Sequence, residues 1–326
     1  MLNRIRRTRR RRGVFAGLLA AALAVPAFAG PARADVQYVP WSTFLPGWTD
    51  TYIPTSANDC VAGRRTCVKQ TLKELDRILQ ITGKSCDHHA VFALAYTRIT
   101  QTYVWSRENG FYQDVPFANH QDAVFARYYT DAWVNWHNGN RAAVPQAWLT
   151  AFDAADAGTV TGTGDLLLAI NAHINRDLPY VLASVGLVAP DGSSRKPDYD
   201  KVEDFLAHAS EPMLAEAARR FDPSMDDAHD PLDATYTVVM QAISAARENS
   251  WRNAEALVSA PTPEARALVE AKIENDANTA AQAILVAQRY VPLLITARTR
   301  DAWCALHAGD PAPEPYPFGS PDPYGT

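Results

Sequence analysis

The sequence predicts an all-α single domain of about eight or nine helices. Three observations carry that expectation. Apolar residues recur at helical spacing along most of the chain, strand-like alternation is nearly absent, and glycine is sparse inside the periodic segments. The composition is that of an ordinary globular chain: 47% apolar and 21% charged over 326 residues, with enough aromatics to build a large core.

Taken in order, Thr66 to Ile81 places Leu72, Leu75, Ile78 and Leu79 on one face, and Gly83 stops it. A second helix is expected from Ser85 or Asp87 through Phe92, Tyr96, Ile99 and Tyr103. Asn119 can cap a third, carrying Val124, Phe125, Tyr128, Trp133 and Trp136 to Gly139. Pro145 suits the first turn of a fourth with Trp148 and Phe152. The fifth starts near Asp165, bends at Pro179 and closes at Gly186. Asp198 and Pro212 start a sixth and a seventh. Two long helices follow, over Ala234 to Ser259 and Pro263 to His307.

Outside the helical region 59–307, three stretches differ. Residues 1–34 read as a cleaved export signal. They hold an arginine-rich start, an apolar run Val14 to Val25 too short to span a bilayer, and small residues up to Ala34. Residues 35–58 are an extended arm rich in Pro and aromatics. Residues 308–326 carry six prolines and read as a disordered tail. Cleavage removes eight arginines and leaves 23 basic residues against 36 acidic ones, a net charge of −13. Such a surface disfavours nucleic acid and anionic membranes, and favours a cationic partner or a metal. An exported chain with four cysteines suggests disulfides; of three connectivities, Cys60–Cys67 with Cys86–Cys304 is favoured over a zinc site, since no Cys-x-x-Cys occurs.

The stretch 164–187 is the candidate functional segment. Leu166, Ile170, Ile174 and Leu178 form an apolar arc. His173 and Asp177, one turn apart, flank one edge; Asn171 and Asn175 flank the other; Arg176 points away. Pro179 displaces the carbonyl of Asn175 from its normal bond. A carboxylate beside an imidazole can fix its tautomer or bind a metal with it. The same groups also suit an internal hydrogen-bond network.

The nine residues Asn171 to Pro179 resemble the signature of a bacterial domain-of-unknown-function family, as do Asp122 to Tyr129, Asp198 to Val202 and Trp251 to Glu255. The likeness covers about Cys86 to Glu255. It implies a helical domain, in a secreted branch that adds the arm, the cysteines and the tail, and it implies no activity. A fainter likeness joins the His173-x-x-x-Asp177 helix to all-α zinc phospholipases C and related nucleases. Those also use a mature N-terminal Trp, where this chain is expected to start at Asp35.

Two functional readings follow. In the first, a metal-assisted hydrolase of phosphoester or acyl substrates uses zinc or another divalent ion on His173, Asp177, His120 and His89, with Asn171 and Asn175 orienting substrate. In the second, an extracellular module binds a small-molecule, lipid or cell-wall ligand, and the His/Asp/Asn cluster is structural. His120, Val124, Tyr128, Asp131 and Asn135 share a face suited to a polar pocket. Arg247, Trp251 and Glu255 read as an Arg–Glu pair over a ring. Asp204 with His208, and the acidic run Asp226 to Asp233, read as solvated. No nucleophile elbow, phosphate loop, His-Glu-x-x-His or dinucleotide fingerprint is present.

Overall fold

A computed structural model describes residues 36–226, 234–291 and 299–311. Residues 1–35, which include the expected export signal, most of the proline tail, and Asp227, His229, Asp230 and Asp233 lie outside them, as do the side chains of Asp226 and His208. The fold is all-α, with ten α-helices and no strand among the described residues. They are α1 (Arg65–Lys84), α2 (Ala90–Glu108), α3 (Val115–His137), α4 (Gln146–Asp156), α5 (Gly162–Asn171), α6 (Leu178–Val185), α7 (Lys196–Arg220), α8 (Ala234–Ser259), α9 (Pro263–Ala287) and α10 (Arg300–His307).

Helix α2 is the centre of the core. It is buried on nearly every side, from Ala90 to Tyr103, and packs against α1, α5 and α7. That is why its apolar residues show no single stripe. Helix α1 is amphipathic and buries Leu72, Leu75, Ile78 and Leu79 as its spacing requires.

Three boundaries differ from expectation. Helix α3 begins four residues before Asn119, because Asp114 accepts the amide of Phe117 and Pro116 sits in the first turn. Asn119 is buried instead, accepting from Tyr103 Oη at 2.8 Å and donating to the Gly63 carbonyl at 2.9 Å. The expected sixth and seventh helices are one, α7, which runs through Pro212. Tertiary contacts hold it across the missing amide: Glu216 receives both arms of the Arg98 guanidinium, at 2.7 and 2.8 Å, and Arg220 at 2.7 Å. The final expected helix is divided into α9 and α10.

Residues 37–58 contain only one short 3₁₀ turn, Trp41–Phe44. They lie along α3, where Trp41 is buried and donates to Thr130 Oγ1 at 3.1 Å, and Asn138 bonds both backbone groups of Tyr38. Disulfides join Cys60 to Cys67 and Cys86 to Cys304. The second ties α10 to the turn before α2.

Candidate functional site: a two-chamber cleft beside a π-helical turn

The expected bend at Pro179 is a π-helical turn. Residues Ala172–Asp177 form it between α5 and α6, and the amide of Leu178 reaches the carbonyl of His173. Proline at the second position of α6 cannot supply the next bond, and the widened turn absorbs that loss. The carbonyl of Ile174 receives Ser250 Oγ from α8 at 2.7 Å. The carbonyl that Pro179 leaves open is therefore that of Ile174, not of Asn175 as expected, because the π register shifts the ladder by one residue, and a neighbouring helix closes it.

The polar residues of this turn split into separate tasks. Asn175 donates to Asn171 Oδ1 at 2.9 Å, and Asn171 donates to the Ala277 carbonyl of α9 at 2.9 Å. This ladder docks α9. Asp177 is fully buried and accepts Trp148 Nε1 at 2.7 Å and Arg176 Nη1 at 2.9 Å. The expectation that Arg176 points away is corrected: its guanidinium turns back to Asp177 and to Glu274, which it meets at 2.8 Å. His173 Nδ1 lies 3.5 Å from Asp177 Oδ2, the outer limit of a hydrogen bond. Burial lowers the His173 pKa, opposed by Asp177.

The structure does not assemble the expected metal set. His120 is sealed, and its ring nitrogens meet the carbonyls of Cys60 (2.9 Å) and Asp50 (2.8 Å), so it anchors the arm. His89 Nδ1 contacts Asp87, and its Nε2 has no partner. That ring belongs to a separate cavity of about 10 Å³, shared with Tyr129 and Asp165 and sized for a water molecule. Neighbouring His88 is bonded to Asp301 and Ala155. Among the described residues no three His, Cys, Asp or Glu side chains are placed to share an ion. The donors present do not fit a zinc site of His173, Asp177, His120 and His89. Of the polar stripe on α3, His120 is spent on the arm and Asn135 bonds the Asp131 carbonyl at 2.8 Å, while Asp131 Oδ1 is buried without a partner.

What His173 does join is a cleft that sequence reasoning missed. It has two adjoining chambers, of about 140 and 100 Å³, which share Tyr96, Ile99, Phe125, Val202 and Arg247 as walls. The larger is apolar, lined by Phe92, Leu166, Ile170, Ile174, Met213 and Ile243, with the His173 ring at one side. His173 Nε2 has no partner. The smaller chamber adds Tyr103, Tyr112, Phe117, Asp122, Arg195 and Tyr199, among others. Here Tyr96 Oη, Thr100 Oγ1 and Asp122 Oδ2 are buried without partners. Burial lifts the Asp122 carboxyl to about 7, against the pull of Arg107.

Arg247 reaches this cleft instead of pairing with Glu255. Its guanidinium lies 4.2 Å from the Tyr199 ring centre and donates to the Tyr199 carbonyl, while Trp251 takes Glu255 at 2.9 Å. One signal in the sequence pointed to Asp122: an acid whose i−4 and i+3 neighbours, Ala118 and Phe125, belong to a core stripe.

This arrangement, a helical domain with one greasy chamber opening on a second that carries polar and charged groups, is the form a small-molecule site takes. The chain belongs to a family of unknown function (DUF5995), whose sequence model matches residues 68–287. The match contains every wall of the cleft and extends beyond the Cys86 to Glu255 stretch in which the resemblance is visible by eye. No curated protein and no solved structure gives a significant match.

Proposed function

We propose that this protein is an exported binding module that takes up a small, largely apolar molecule in the cleft between α2, α3, α7 and α8. The carrying observation is the pair of adjoining chambers with apolar walls and isolated polar atoms, Tyr96 Oη, Asp122 Oδ2 and His173 Nε2. A chamber of 140 Å³ accommodates one aromatic ring or a short acyl chain, since a dry cavity of about 150 Å³ binds benzene. Two disulfides and a leader-like start support export, and no described helix is long and apolar enough to cross a membrane. Calorimetric titration with 2-phenylethanol tests the reading. Saturable binding is expected, with loss in Ile170→Phe, which fills the larger chamber. No saturable binding, or equal binding by the filled variant, overturns it.

One observation favours a second reading, acid–base chemistry. His173 presents an unpartnered Nε2 beside the apolar chamber while Nδ1 faces a carboxylate. Turnover of a short-chain phenyl ester that is lost in His173→Gln would support it. A rate equal in the two proteins would remove it.

A further inference from the structure

The smaller chamber is rich in charge, and its charges do not balance. Arg195 has Asp114 at 2.8 Å, and Arg247 has Glu203 at 3.5 Å. Arg107, behind Asp122 on α2, has Glu108 at 2.8 Å and also donates to Asn119. Asp198 accepts the backbone amides of Gln113 and Asp114, at 2.9 Å each from its closer oxygens. The Nε groups of Arg195 and Arg247 lack hydrogen-bond partners, but each guanidinium charge is matched by an acid. Asp122 is the exception, a half-buried residue whose Oδ2 is sealed in the chamber and meets no donor and no ion pair of its own.

Around it stand aromatic rings, those of Tyr96, Tyr103, Tyr112, Phe117 and Phe125. Ring faces attract a desolvated cation, and an unpaired carboxylate among them supplies the opposite charge. The apolar chamber is reached across Tyr96 and Phe125, so one molecule can place a charged head in one space and its hydrocarbon part in the other.

We propose that the ligand is a small amphipathic amine, its ammonium paired with the Asp122 carboxylate inside the aromatic wall and its apolar part in the chamber beside His173. This rests on the cleft being a binding site, and it adds the charge of the ligand. The acidic balance of the chain, 36 Asp and Glu against 31 Lys and Arg, draws cations rather than anions to the surface. Burial holds the Asp122 proton up to pH about 7, so the amine must displace it. Preference for the amine therefore rises with pH from 6 to 8, where a primary ammonium stays charged.

Three probes with one hydrocarbon frame separate the outcomes: 2-phenylethylammonium, 2-phenylethanol and 3-phenylpropionate, titrated calorimetrically into the exported chain. At pH 8 the ammonium is expected to bind at least about tenfold tighter than the alcohol, and the acid weakest. Asp122→Asn, nearly isosteric and free of the buried charge, is expected to erase both the preference and its pH dependence while still binding the alcohol. Circular dichroism checks that the variant is folded. An alcohol as tight as the amine, a tighter acid, or an unchanged preference in Asp122→Asn overturns the amine assignment and leaves the cleft standing. Failure of all three to bind removes the cleft itself.

Discussion

The imidazole of His173 lies flat on the ring of Phe125, with centroids 3.5 Å apart and planes 5° from parallel. Tyr96 stands edge-on to the same imidazole at 4.6 Å. Aromatic packing, more than Asp177, thus holds His173 at the cleft, because Asp177 is already committed to Trp148 and Arg176. Removing that acid leaves Arg176 with Glu274 alone and Trp148 Nε1 without an acceptor. Asp177→Ala is expected to cost about 3–5 kcal/mol in urea unfolding. A loss below about 1 kcal/mol would show that the carboxylate is not the hub of the π turn.

The π turn depends on α8 as well. Ser250 is fully buried and serves the Ile174 carbonyl, which lacks its usual helical donor. Its replacement by Ala strands that oxygen, at an expected cost of about 1–3 kcal/mol. Hydrogen exchange should then report faster opening around residues 172–178. Unchanged exchange there would place the support of the turn elsewhere.

Stability should respond to pH with two opposed signs. Burial lifts Asp122 and Asp165 to about 7, opposed by Arg107 and Arg300 respectively. The native state keeps protons that the unfolded chain gives up above about pH 4. The unfolded state then binds fewer protons, so both groups lower stability as pH rises from about 4 to 7. His173 acts in reverse. Burial lowers its pKa, the unfolded chain protonates first, and stability falls as pH drops below about 6.5. Asp122→Asn is expected to match the parent near pH 4 and to exceed it by on the order of 1–3 kcal/mol at pH 8. Urea titrations at the two pH values check this, and a variant less stable at pH 8 would contradict it.

The two disulfides should differ in worth. Cys86–Cys304 closes a loop of 218 residues and Cys60–Cys67 one of 7. Loop-closure entropy assigns them about 5 and about 2 kcal/mol. Paired Cys→Ser variants compared by thermal unfolding should rank in that order. The reverse order would mean that the short loop is held by more than its own closure.

Much of the fold was legible along the chain because helix signals are local. Periodic apolar residues marked α1 to α4, and Pro179 marked the irregular turn. Pro212 misled, since the Arg98–Glu216 pair that carries α7 past it joins residues 118 apart. The candidate ligands misled for the same reason. His120 and His89 share residue type with His173 but serve the arm and a separate cavity, and spacing holds no information on which partner a side chain meets.

The sequence by itself determined the helical class and the place where a helix must yield, because each follows from local backbone chemistry; four thiols allowed three pairings, and the structure holds the favoured one. Only the tertiary structure decided that Asn171 and Asn175 dock a helix, that Arg176 folds back, and that Asp122 ends in a greasy cleft without a cation. Those outcomes depend on which faces of α2, α3, α7, α8 and α9 meet. An unpaired charge exists only once the neighbours that fail to pair with it are in place.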